Sequence, residues 1–82
     1  MIEEKVRKLI EKDVEKLGVQ VDSVKLEKEG GNLFLRIVID RDEIIDVDTC
    51  VEVTNVINPL LDEANLIEES YMLDVSTKEK GR

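Results

Sequence analysis

Asp46-Val47-Asp48-Thr49-Cys50-Val51-Glu52-Val53-Thr54-Asn55-Val56-Ile57-Asn58-Pro59-Leu60-Leu61-Asp62-Glu63-Ala64 is the stretch whose reading decides the fold. Val47, Cys50, Val51, Thr54, Ile57, Leu61 and Ala64 recur at three- and four-residue steps, which draws an apolar stripe along a helix. Asp46 is placed to cap its N-terminus, and Asp48 adds negative charge to the first turn, where unpaired N–H groups favour it. Pro59 lies inside the pattern, removes one helical hydrogen bond and crowds the preceding turn, so a kink or a restart at Asn58 is expected. The many β-branched residues make this a poor helix by propensity alone. Packing against a sheet must therefore hold it.

The sheet reads most clearly just upstream. Leu33, Leu35, Ile37 and Ile39 alternate with Phe34, Arg36, Val38 and Asp40, which predicts a strand with one apolar face. Glu29-Gly30-Gly31-Asn32 reads as the hairpin turn before it, with glycine supplying positive φ. The preceding strand is expected over Ser23–Lys28. Val24 and Leu26 have the opposite parity to Val19 and Val21, and a bulge or an entry bend at Asp22-Ser23 would reconcile the two pairs. Residues 2–17 carry Ile2, Val6, Leu9, Ile10, Asp13 or Val14, and Leu17 at helical spacing, with Gly18 as the residue that turns the chain out. After the main helix, Tyr71-Met72-Leu73-Asp74-Val75 reads as a last strand with Tyr71, Leu73 and Val75 inward.

The order helix-strand-strand-helix-strand predicts an α+β two-layer sandwich, with two helices on one face of a three-stranded mixed sheet. The hairpin makes the first two strands antiparallel, and the last should return parallel to the second by a right-handed crossover. Which neighbour it takes is left open. Residues 1–76 form one domain in this reading, and residues 77–82 a polar, frayed tail. Leu35, Ile37, Ile57, Leu61 and Leu73 are expected to be almost fully buried.

Twenty Asp and Glu against twelve Lys and Arg give 82 residues a formal charge of −8. Such a field repels phosphate backbones and attracts basic proteins. The single Cys50 has no disulfide partner, no apolar run reaches membrane-spanning length, and the N-terminus lacks the pattern of a secretion signal. A cytoplasmic monomer that does not engage a membrane is the expectation.

Catalytic chemistry finds little support. There is no His, and a lone Cys50 on the apolar stripe reads as a structural thiol. The carboxylates Asp40, Asp42, Glu43, Asp46 and Asp48 lack the Gly and terminal Glu of a calcium loop and read as a solvated loop plus helix cap. Gly30-Gly31 is followed by no helix start or Lys-Ser/Thr, so it is not a phosphate loop. No catalytic residue, metal or cofactor is predicted. With both helices on one side, Phe34, Val38 and Met72 look outward among Lys25, Glu27, Arg36 and Asp74. The predicted partner-binding residues are Phe34, Arg36, Val38 and Met72, with Asp40 and Asp42 from the acidic loop.

The sequence resembles the N-terminal domain of the ribosome maturation factor RimP family. The likeness is carried by Gly30-Gly31-Asn32 leading into Leu33–Asp40, by Asp46-Val47-Asp48-Thr49-Cys50 opening the helix, by Asn58-Pro59-Leu60-Leu61-Asp62, and by Tyr71-Met72-Leu73-Asp74-Val75-Ser76. The resemblance implies a helix-strand-strand-helix-strand domain without enzymatic activity. It further implies a role in assembling the small (30S) ribosomal subunit, through ribosomal RNA and small-subunit proteins. It also implies a second, barrel-like domain in the parent, reached through Ser-Pro-Gly, where this sequence instead reads Thr77-Lys78-Glu79-Lys80-Gly81-Arg82. The acidity favours contact with basic ribosomal proteins over a direct grip on RNA. The alternative is a small acidic scaffold or designed domain with no evolved ligand. A KH-like nucleic-acid domain is opposed by the charge and by the absence of a Gly-x-x-Gly clamp.

Overall fold

Val6, Ile10 and Val14 fall one turn apart, and all three are completely buried along the inner face of α1 (Ile2–Glu15). The computed structural model describes residues 2–78, in which α1 is followed by β1 (Gln20–Glu29), β2 (Asn32–Asp40), α2 (Val47–Ala64) and β3 (Met72–Thr77). Val14 takes the inward position, while Asp13 is paired with Lys16 at 3.6 Å. The helix stops at Glu15, two residues earlier than its apolar spacing predicts. A tight turn follows, in which the Leu17 N–H donates to the Val14 carbonyl and the Gly18 N–H to that of Glu15. Gly18 sits at φ +84°, the left-handed conformation that turns the chain toward the sheet.

β1 begins three residues before the expected Ser23. Val21 pairs with Ile39 and Ser23 with Val38, so Asp22 is an extra residue in the ladder. Of the bulge and the entry bend that the change of parity allowed, the structure has the bulge, which lets Val19, Val21, Val24 and Leu26 all serve the helix side. Gly30 and Gly31, at φ +56° and +83°, form the two-residue turn whose twist matches antiparallel strands. β2 is the central strand, and Leu35, Ile37 and Ile39 are fully buried. β3 lies parallel to β2 on the side away from β1, giving the order β1-β2-β3.

Two expectations about burial need correction. Leu73 is half-buried, because β3 is an edge strand with a neighbour on one side only. The stripe of α2 keeps Ile57 and Leu61 as expected but takes Val53 in place of Val47, Val51 and Ala64. Val53, Ile57 and Leu61 are the buried line, with Cys50 and Leu60 partly buried beside them, whereas Val47 is 77% and Val51 51% exposed and Ala64 is exposed. Two residues on a helix are about 200° apart, so Val51 and Val53 cannot share a face. α2 has apolar residues on more than one side, and the sheet selects the line that spans it.

The Asp46 carboxylate accepts the Thr49 N–H at 2.9 Å and the Thr49 hydroxyl at 2.6 Å, which makes it the N-cap. At the other end Asn65, at φ 49°, donates its N–H to the Leu61 carbonyl. The helix runs unbroken through Pro59. The carbonyl that Pro59 leaves without a helical donor belongs to Asn55, and both residues are exposed, so water can take that place. Thr77, expected in the tail, completes β3. Lys78 donates its N–H to the Ile39 carbonyl at 2.9 Å and pairs with Asp22 at 3.5 Å. The remainder of the expected tail, residues 79–82, lies outside the described residues.

The two bonds from Thr49 hold the Asp46 carboxyl below its ordinary range, the hydroxyl contributing first and the backbone N–H second. A carboxylate with a lowered folded pKa stabilises the fold above its unfolded value, about 4, and loses that contribution as the pH falls through the lowered value. Thermal unfolding across pH 2–6 should therefore show a smaller acid-side loss in Asp46→Asn than in the wild type. Parallel curves would overturn the cap assignment.

Candidate functional site on the open face of the sheet

Alternation along β2 sends Phe34, Arg36, Val38 and Asp40 away from the helices, onto a sheet face that neither helix covers. Strand pairing then assembles the rest. Glu27 and Met72 flank Phe34, Lys25 and Asp74 flank Arg36, and Ser23 and Ser76 flank Val38. Met72 is 56% exposed, while Phe34 and Val38 are half-buried.

Arg36 is the centre of this face. Its Nη1 donates to Glu27 Oε1 at 3.2 Å and its Nη2 to the Glu29 carboxylate, while Nε faces Asp74 Oδ2 at 3.6 Å. The guanidinium carbon stands 5.0 Å from the centre of the Phe34 ring, a cation–π distance. The bond to Glu29 is the main cause that raises the Arg36 pKa, partly opposed by desolvation. One cation is thus shared by three carboxylates. With exposed Lys25 beside Arg36, the face is an apolar platform among mixed charges in which carboxylates outnumber cations.

Of the six predicted site residues, the structure gathers Phe34, Arg36, Val38 and Met72. Asp42 lies in the loop beyond β2. Asp40 ends the same face, at about 3.3 Å per residue roughly 7 Å along β2 from Val38 and 20 Å from Phe34. Its carboxylate accepts the Arg41 N–H at 2.8 Å, and it lines a shallow recess with Glu15, Gln20, Arg41 and exposed Asp42. Sequence reasoning missed Glu29 as an Arg36 partner and did not connect Asp74 to it. The Asp74 pairing depends on β3 lying beside β2, which the sequence left open.

Among the described residues, no cluster of three or more carboxylates or thiols is arranged to hold a metal ion. Cys50 is a free, half-buried thiol packed against the core. No described helix is long and apolar enough to cross a membrane.

The fold is shared with solved structures of MamM CTD. One, spanning residues 215–293 of that protein, is 19% identical with a TM-score of 0.53, covering 94% of this chain and 98% of its own. A MamM CTD variant in a nickel form is 17% identical with a TM-score of 0.53, covering 95% and 99%. A variant in a cadmium form is 19% identical with a TM-score of 0.51, covering 95% and 96%. At this identity the likeness concerns the fold alone. The profile of the RimP N-terminal domain matches residues 9–78, nearly the whole described chain and every motif that carried the sequence resemblance. The chain therefore belongs to the RimP N-terminal domain family, whose role in ribosome maturation and assembly is non-enzymatic.

Proposed function

We propose that this domain acts in maturation of the small (30S) ribosomal subunit by docking its open sheet face on a subunit component. The observation that supports this most is the platform of Phe34, Val38 and Met72 around an Arg36 already engaged by Glu27, Glu29 and Asp74. Apolar side chains among charges in which carboxylates outnumber cations complement a basic protein surface better than a phosphate backbone. Basic ribosomal proteins are the preferred partners in this reading, with ribosomal RNA contacted secondarily. Asp40 and Asp42 add long-range attraction from the end of β2 rather than contacts on the platform. In the parent protein a second, barrel-like domain would share the load, and the domain would work as a monomer in the cytoplasm.

Co-sedimentation with purified small subunits over a salt series tests this. Saturable binding that persists at moderate salt is expected, and Val38→Asp with Met72→Asp should weaken it by about tenfold, or 1.4 kcal/mol. Equally tight binding to bare ribosomal RNA fragments at physiological salt would overturn the preference for protein. Absence of any binding would favour an acidic scaffold that keeps the fold without the ligand.

A further inference from the structure

Ile44, Val47 and Val51 are 84%, 77% and 51% exposed, although their residue types belong in cores. Val47 and Val51 stand one turn apart on one side of α2, and Ile44 precedes them by a further turn's length of chain. Their neighbours behave oppositely. Ile45 and Cys50 are partly buried against the core, in the positions that staple a helix start to the body of a protein. Of two adjacent isoleucines, one is therefore committed to the core and the other is left in water. On an exposed helix face, Val is also a poorer helix former than Lys, Glu or Ala. Nothing packed within the domain offsets that disadvantage.

The surroundings define what could cover this patch. Between residues 41 and 55 the sequence carries Asp42, Glu43, Asp46, Asp48 and Glu52 against a single cation, Arg41. The Arg41 guanidinium donates to the Ile44 carbonyl at 2.8 Å. A second copy of the chain would bring the same acidic rim and the same charge of −8. Nucleic acid and anionic lipid headgroups are repelled for the same reason. A neutral apolar partner would desolvate the rim carboxylates without pairing them. A segment with apolar side chains flanked by Lys and Arg satisfies both halves of the surface.

We infer that the start of α2, through Ile44, Val47 and Val51 within this acidic rim, is a docking surface for a basic amphipathic protein segment. It is built on the start of α2 and shares none of Phe34, Arg36, Val38 and Met72 with the open sheet face. Charge attracts the segment and orients it, and the three apolar side chains hold it.

The test is an NMR titration of the full chain, at near-physiological salt, with a synthetic amphipathic helix of leucine and lysine. Saturable shifts concentrated around Ile44, Val47 and Val51 are expected. A leucine/glutamate peptide should not bind, and a serine/lysine peptide should bind about tenfold more weakly, as should V47S combined with V51S. Ile44→Ser, outside the helix, provides a second variant that leaves α2 intact. Shifts spread over the acidic surface or centred on the sheet face would overturn the inference. So would serine/lysine binding as tight as leucine/lysine, or unchanged affinity in folded variants. No ribosomal subunit enters this measurement, so its failure is separable from failure of the sheet-face reading.

Discussion

Leu61→Ala is expected to lower the unfolding free energy by on the order of 2–5 kcal/mol, read as a shift in urea midpoint. Leu61 is 4% exposed, on the line of α2 that faces the sheet, so truncation removes buried apolar surface and leaves a cavity. A domain of this length holds roughly 4–12 kcal/mol in total, so the variant is expected to lose a large share of its stability. Leu73→Ala deletes the same atoms at a half-buried edge position and should cost only about 1 kcal/mol, mostly lost transfer energy. A Leu61→Ala loss below about 1 kcal/mol would contradict the packing. Equal losses at the two sites would contradict the edge placement of β3.

Arg7→Ala should cost about 1.5–3 kcal/mol, the range for hydrogen bonds to charged groups. From α1, Arg7 Nη2 donates to the Val21 carbonyl at 2.7 Å, and Nη1 reaches the Asp22 carbonyl at 3.5 Å. These carbonyls belong to the bulged residue and the one before it, where the ladder is interrupted. Farther along β1, the Glu3 carboxylate accepts the Leu26 N–H at 3.4 Å. Side chains of α1 thus occupy backbone groups of an edge strand, which also blunts that edge against pairing with other chains. Hydrogen exchange should show the loss locally, with amides of residues 20–23 accelerated more than those beside the Gly30-Gly31 turn. An unchanged urea midpoint in Arg7→Ala would show that the contact carries no net stability.

The features legible in the sequence were those encoded by neighbouring residues. Two adjacent glycines between alternating strands specify the turn, the change of parity between Val21 and Val24 marks an irregularity at Asp22-Ser23, and Asp46 ahead of the apolar stripe places the cap. What escaped depends on contacts distant in sequence. Val51 and Val53 are equally apolar, and only the sheet beneath α2 decides which is covered. Leu73 resembles a core residue until β3 takes an edge, and Arg36 resembles a free cation until Glu29 and Asp74 are brought alongside. Phe34, Val38 and Met72 were legible as an outward group because parity alone places them. Asp40 was legible as the end of that face by the same parity, and Asp42 lies in the loop beyond it.

β2 and β3 run side by side, yet the whole of α2 lies between them in the chain. The β1–β2 hairpin can close through contacts between near neighbours, whereas β3 can dock only after a long loop has closed and α2 has formed. During folding β3 should arrive last, and in native fluctuations it should be the first strand to peel away. Met72 would leave the Phe34 platform with it, so a partner that grips both strands acts as a latch, slowing the excursion that would dismantle its own binding surface.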